Sequence, residues 1–518
     1  TIANAVRPTL GPLARTVMME AQRRIDRPEL LDDAATIARR IIQIRPRGSD
    51  VGAMLIRQSL WRMQREAGDG AATMAVMYQA IFNEGVRSVV RLGHNAMQLR
   101  TGLQKGLAVV QQKLQREATP LTGKDRIAGV ARGMLQEDSE LAGLIGEIFD
   151  IIGPDGLFVI EKWNKPGLDR EYIEGTYWHL SGWFSRHFIT EPAERRTTFE
   201  DAAVLITDLK LKEPEQLIPA LDECIKAGVK KLVIVAAEMS DRSVGLLVQN
   251  NEAKTIQTMA VRTPRLGEVS HVEAMEDLSA LTGGRIFYSA ATTGLADFQA
   301  QDLGYARRAW ATDSLFGLTG GKGDPRQVRR HMAHLRALLS LAEEGHPKRM
   351  LRQRLGRLSG GTAILKIGGY TESEIDTRHA IAERAVTSVR NAVIGGVVAG
   401  GGAALLNAQA ALAELPAANE AEAAAYMILS RALEEPMRAI AYNAGAQPDI
   451  VVEKVKDLPP GHGFDALSHK LVDMTAAGVW DSVVMLNKAL ETAVSGAAMA
   501  LTTDVIVHHQ KLKENIEP

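Results

Sequence analysis

Cysteine occurs once in this chain, at Cys224, so no internal disulfide can form. A cytoplasmic setting is the simplest expectation for a long chain built without disulfides. Aromatic residues make up only 5 % of the sequence. The core must therefore come from the plentiful Ala, Leu, Val and Gly, a balance that suits closely packed helices. No apolar run is long enough to span a bilayer, and no charged-then-apolar signal segment opens the chain. Charge of one sign is also lacking: the formal net charge is -1, which offers no field to hold a polyanion. Basic clusters do occur in "RRHMAHLRALL" and "KRMLRQRLGRL", at helical spacing among apolar residues. They read as solvated helix faces, and neither nucleic acid nor a membrane is expected as a partner. No GxxxxGK[ST] run exists, which excludes a P-loop.

At 518 residues the chain is too long for one ordinary core, so two or three domains are expected. Residues 51–117 carry apolar positions at three- and four-residue intervals, as in "AATMAVMYQAIFNEGVRSVV", and read as helices up to a break at "ATPLTGKD". From about residue 145 the texture changes. "GPDGLFVIEK" is a turn and a short strand, "DREYIEGTYWHLSGWFSRHFI" gathers many of the aromatics, and "DAAVLITD", "KLVIVAA", "TIQTMAVR" and "GGRIFYSA" are short strands alternating with helices. That alternation predicts an α/β domain. Beyond about residue 325 the pattern is helical again, interrupted by "GGTAILKIGG", and from residue 403 only "GFDAL" and "DVIVHH" depart from helix. The plainest arrangement is an α/β domain inserted into a helical one. The chain opens at Thr1 inside an amphipathic pattern, so further sequence is expected ahead of it.

Four stretches carry candidate chemistry. In "TLGP", Gly11 lets backbone approach a ligand and Pro12 stiffens the turn, although a plain helix stop uses the same residues. In "GDG", Asp69 is hard enough to hold magnesium and precedes a helix start whose amides suit phosphate; the alternative is that Asp69 caps that helix. "GGVVAGGGAALL" permits close approach of backbone to a nucleotide or to another helix. In "GFDALSHKLVDMTAAGVWDS", Asp465 and Asp481 suit a ribose or base, or else cap turns.

The order and separation of "TLGP", "GDG", "KIGG", "GVVAGGG" and the late Asp, with "ALTGG" in the inserted domain, resemble the group I chaperonins, the GroEL-like ring chaperones, across essentially the whole chain. The resemblance implies a multidomain α and α/β fold. Its equatorial domain would take 1–116 and 395–518, its intermediate domain 117–173 and 363–394, and its inserted apical domain 174–362. It implies ATP with magnesium, and potassium as a further ion. It places nucleotide contacts at Thr9, Leu10, Gly11, Pro12, Gly70, Ala71, Ala72, Thr73, Gly401, Asp465, Ala466 and Asp481, with the metal on Asp69. It implies a homo-oligomeric ring, non-native protein clients and a co-chaperonin. The client groove would be formed by Trp183, Phe184, His187, Phe188, Ile218, Leu221, Val244, Val248 and Gln249, with Trp183 and Phe188 read as exposed rather than core.

The departures from the family pattern bear on chemistry. Ala71 and Ala72 stand where the pattern has threonines, leaving Thr73. Asp33 keeps a catalytic carboxylate, but Asp32 replaces a Lys, and Arg384 replaces the Asp that serves the hydrolytic water. A guanidinium accepts no hydrogen bond, and Glu383 beside it points about 100° away on a helix. Asp32 and Arg384 have exchanged signs and are expected to pair. Ile394 and Gly395 replace an acidic pair, and Gln447 faces Arg438 where an ion pair between rings is expected, so single rings are favoured over double ones. Three functions follow: an ATP-driven folding chaperonin, a divergent paralogue that captures clients with hydrolysis impaired or lost, and an assembly scaffold for one partner enzyme. The site residues favour the second.

Overall fold

The computed structural model describes residues 1–20, 28–41, 44, 47–135, 138–179, 181–192, 194–264, 271–290, 294–342, 346–359 and 361–507. Contacts divide the chain into two compact units: the first holds Thr1–Asp150, Lys162–Pro166 and Ile367–Pro518, the second Ile151–Glu161 and Gly167–Lys366.

The first unit is helical. Arg47–Ala67, Ala71–Val86, Ala96–Glu117, Glu420–Asn443 and Val483–Leu501 share one core, in which Met63, Met74, Leu99, Leu103, Leu429 and Leu490 are buried. Small residues let these helices close up: a Cβ at Gly102 would meet Ala425 Cβ at 2.7 Å. Asn95 caps Ala96–Glu117 by accepting from the amides of Met97 and Gln98, and the helix ends at Glu117, ahead of the break at "ATPLTGKD". A second, smaller core joins Ala403, Leu406, Met437, Ile440, Phe464 and Met474, with Leu10 packed against it.

Short strands connect these helices. Val397–Ala399 pairs antiparallel with Trp480–Ser482, setting Val398 opposite Asp481. His462–Asp465 pairs with Lys470–Asp473, so the "GFDAL" departure from helix is a hairpin. The "DVIVHH" departure is not a strand among the described residues: 503–507 carry no strand pairing, and 508 and 509 lie outside the described residues, as does "KLKENIEP".

The second unit is built on a seven-stranded mixed sheet. Its order is Gln257–Arg262, Lys231–Ala236, Thr197–Thr207, Gly304–Ala311, Leu315–Gly321, Thr176–His179, with Ile286–Phe287 also on Thr197–Thr207. The first three strands run parallel, as their continuous apolar sequences suggest. Period-two alternation then sorts the helices. Ala203, Leu205, Leu232 and Ile234 face a core with Ile218–Lys226 and Asp241–Glu252, whereas Ala202, Val204, Val233 and Val235 face a core with Met275 and Leu278 of His271–Thr282. The hairpin Gly304–Ala311 and Leu315–Gly321 escapes the sequence pattern, because Arg307 and Arg308 interrupt its apolar alternation.

Candidate functional site

Three glycine turns converge in the first unit. Gly11 has φ +93, and a Cβ there would lie 3.2 Å from Ile440 Cγ1. Asn443 Nδ2 donates to the carbonyls of Arg7 at 3.0 Å and Leu10 at 2.8 Å, pinning the "TLGP" loop to the long helix Glu420–Asn443. Gly70 has φ +81, and a Cβ there would run into the Met485 thioether. Gly401 and Gly402 are likewise left-handed, at φ +66 and +82. A Cβ at Gly402 would meet the Met437 amide at 3.0 Å, and one at Gly401 would sit 4.0 Å from the Phe464 carbonyl. The "TLGP", "GGG" and "GFDA" stretches thus share the small core around Met437 and Ile440.

Asp69 does not cap a helix. Its Oδ1 accepts from the adjacent Gly70 amide at 2.6 Å, while Gly70 itself is the N-cap residue of Ala71–Val86 and supplies no side-chain cap. The first-turn amides of that helix have no partner within it, which is the raw material of a phosphate site. The side chains of Ala71, Ala72 and Thr73 are buried. Crowding by surrounding protein raises the Asp69 pKa, with the charge of Asp33 adding to it and the Gly70 amide and Arg384 opposing it, although the residue keeps solvent access.

Asp481 is drawn into the same cluster. Its carboxylate accepts from the amides of Gly401 and Gly402, yet burial, followed by the charge of Asp69, pushes its pKa up to about 7. In this geometry the Asp481 carboxylate, expected at a ribose or base, is bonded to the glycine turn. Asp465 is likewise engaged locally: Oδ1 accepts from the Leu467 amide at 3.0 Å and Oδ2 from the Ser468 hydroxyl, which lowers its pKa. Ala466 beside it is buried. Thr9 Oγ1 donates to the Val6 carbonyl at 2.8 Å, and Pro12 is exposed.

The Arg384 side chain finds a carboxylate, but not the expected one. Its Nη1 lies 2.9 Å from Asp33 Oδ1, while Asp32 is exposed and takes no part. Asp33 is the N-cap of Ala34–Arg40, its Oδ2 accepting from the Thr36 amide at 2.7 Å and from Gln64 Nε2 at 2.9 Å. Capping turns Asp33 inward and leaves Asp32 outside, which decides the partner. Both Asp33 oxygens are thus bonded within the protein. Glu383 points elsewhere, 3.9 Å from His379 Nδ1. The helix Glu372–Gly395 is held on the turn itself. Asn391 Nδ2 reaches the carbonyls of Glu66 and Ala67 at 3.3 Å, and a Cβ at Gly68 would meet Ser388 N at 3.0 Å. Gln64 and Asn443 escape sequence reasoning; neither sits in a glycine motif or carries a charge, so no local signal marks them.

No cluster of three or more His, Cys, Asp or Glu able to hold a metal occurs among the described residues. A magnesium ion there fits Asp69 as its one protein carboxylate, completed by phosphate oxygens and water, the usual manner for that ion.

In the second unit the expected groove residues divide. Phe188 and Leu221 are core, at 3 % and 4 % exposure, and not surface as expected of Phe188. The turn Arg186–Phe188 inserts its phenyl ring under the sheet while His187 faces solvent. Trp183 and Phe184 are half-buried, and the Arg262 guanidinium lies 5.1 Å from the Phe184 ring centroid. Ile218 and Gln249 are exposed, with Val244 and Val248 partly so. The outward surface therefore rests on Ile218, Ile225, Val244 and Val248 of two adjacent helices.

This architecture has relatives of known structure. The chaperonin gp146 from the bacteriophage EL 2 (Pseudomonas aeruginosa), in crystal form I grown in the presence of ATP-BeFx, superposes with a TM-score of 0.67 at 16 % identity, covering 98 % of this chain and 96 % of that one. Crystal form II of the same protein gives a TM-score of 0.59 over the same shares. At that identity the match speaks for the fold. The model of the TCP-1/cpn60 chaperonin family matches residues 2–511, nearly the whole chain, and the chain belongs to that family.

Proposed function

We propose that this chaperonin captures non-native polypeptides as a cytoplasmic ring assembly, binds ATP with magnesium, and hydrolyses it poorly or not at all. Its domain boundaries would be those drawn from sequence. The observation that carries the reading is the ion pair between Arg384 and Asp33: a cation that accepts nothing stands where the family pattern has the water's acceptor, and it is held on Asp33, both of whose oxygens are already bonded. Phosphoryl transfer depends on positioning and charge stabilisation, so loss of the water's acceptor costs orders of magnitude in turnover.

Binding is better supported than cleavage. Backbone amides at Gly70 through Thr73 and the left-handed turns at Gly11 and Gly401 survive the change of side chains, and Asp69 would hold the metal. The related phage chaperonin was crystallised in the presence of ATP-BeFx, which favours a nucleotide here too. Magnesium, when bound, supplies neutralisation of phosphate charge. A client surface of Ile218, Val244 and Val248 is apolar and open, as capture of unfolded chains requires. Ring formation is supported by Met18, Leu30, Val505 and Val507, large apolar side chains exposed on a single chain. Arg438 is satisfied at home, by Glu434 at 2.7 Å and by Asp449, which favours a single ring.

The test is nucleotide binding and steady-state turnover with magnesium and potassium, for wild type beside Arg384→Asp. The expected result is measurable ATP binding by both, with the variant turning over at least about 100-fold faster. Comparable turnover by wild type would make this a working ATPase and the role given to Arg384 wrong.

A further inference from the structure

The second unit carries a charge asymmetry that client capture does not use. Pro325–Leu341 holds four arginines and His346–Leu358 holds five lysines or arginines, and neither helix contains an acid, in a chain whose net charge is -1. Some of these cations are committed. Arg336 pairs with Asp155, Arg354 with Asp277, Glu273 and Glu276, and Arg357 is buried. Arg326, Arg329, Arg330 and Arg349 are exposed and pair with no described acid.

Their direction is set by packing. Leu335, Met332 and Leu339 turn inward against Leu351, Leu355 and Leu358, which fixes the opposite side of Pro325–Leu341 toward solvent. On that side Arg326, Arg329, Arg330, His334, Ala337 and Leu341 form one stripe at i, i+3, i+4, i+8, i+11 and i+15, about 22 Å long. The stripe changes character along its length, from cationic to apolar, and ends at Leu341, 83 % exposed. Helix His271–Thr282 packs beneath, on the face of the seven-stranded sheet opposite Ile218–Lys226 and Asp241–Glu252. The sheet thus separates this surface from the client surface.

We propose that the outward stripe of Pro325–Leu341 is a second docking surface, for a polypeptide segment with acidic residues at one end and apolar residues at the other. Charge complementarity selects an anionic partner. The apolar half selects a polypeptide over nucleic acid: no aromatic stands on the stripe to stack a base, and an exposed leucine gains nothing from a phosphate backbone.

The experiment is fluorescence anisotropy on the full chain. The probe is a helix-forming peptide of about five turns, with a glutamate cluster at one end and a leucine pair at the other. Poly-glutamate and a single-stranded oligonucleotide of equal charge are the comparators. The peptide should bind more tightly than either, and added salt should weaken it. Arg326→Glu, Arg329→Glu, Arg330→Glu together should weaken the peptide at least about tenfold, and Leu341→Ser should reduce it to the level of poly-glutamate. Should charge reversal unsettle the helix, the corresponding triple Arg→Gln variant should also weaken the peptide, since it removes the same three charges. Excess unfolded client should leave the peptide bound. Unchanged binding by the variants, preference for the oligonucleotide, or displacement by client would each overturn the proposal.

Discussion

Two arginine–aspartate pairs, one in each unit, show how the same chemistry serves different ends. In the second unit Arg354 and Asp277 are sealed, with side-chain exposures of 5 % and 0 %. Arg354 Nε and Nη2 each lie 2.9 Å from an Asp277 oxygen, and His331 Nε2 is 2.8 Å away. This is a two-pronged, desolvated pair that ties His271–Thr282, Pro325–Leu341 and His346–Leu358 together. In the first unit Arg384 and Asp33 keep 26 % and 15 % exposure and make one bond at 2.9 Å. Burial makes the first a fastener; the second is part-exposed and stands beside a glycine turn and Asp69.

The comparison can be broken most severely at the sealed pair. Asp277→Ala removes the two-pronged partner of the buried Arg354 cation, leaving it Glu276 at 3.5 Å and Glu273 at 3.8 Å, and should cost about 3 kcal/mol, read by equilibrium denaturation; a cost below about 1 kcal/mol would show that the burial is not what holds it. Next comes the turn beside the open pair. Gly70→Ala forces a left-handed residue and a Cβ into Met485, with an expected loss of about 2–4 kcal/mol and weaker nucleotide binding by calorimetry.

A smaller, pH-dependent effect belongs to Asp481. Its pKa is raised from 3.8 to about 7 in the folded chain, so between those values the native state holds a proton that the unfolded state has lost. Its contribution to stability is full below about pH 4 and is gone as pH rises through about 7. Asp481→Asn should flatten that part of the stability profile, seen as a smaller fall in melting temperature between about pH 4.5 and 7 than in wild type. The smallest change is expected from Arg384→Ala, about 1 kcal/mol or less in stability, because the pair is part-exposed and Asp33 keeps its bonds to the Thr36 amide and Gln64 Nε2. A loss as large as that of Asp277→Ala would erase the distinction between the two pairs.

Much of the site was legible in the sequence because glycine leaves a strong signature. Gly11, Gly70 and Gly401 all adopt φ values that only glycine tolerates easily, so their motifs mark real turns. Phe188 was not legible. "SRHF" looks like surface, and only the three-residue turn Arg186–Phe188 rotates the ring inward while leaving His187 out. Asp481 and Asp465 were recognisable as carboxylates near the site, but their bonding to Gly401, Gly402 and Ser468 arises from strand pairing and turn geometry.

Periodicity determines the order of helical and α/β segments, while the order of the glycine motifs along the chain carries the resemblance to the family, against whose pattern the cation at residue 384 stands out. The segments are readable in short windows, and the resemblance in the linear order of motifs. Packing chose which aspartate Arg384 meets. Asp32 and Asp33 are neighbours of identical chemistry, and the choice between them rests on helix capping and on a contact across 351 residues of sequence. Packing also set which cations of Pro325–Leu341 face solvent, because only the packed leucines fix the rotation of that helix. Orientation is a property of the whole core, and no window of sequence contains it.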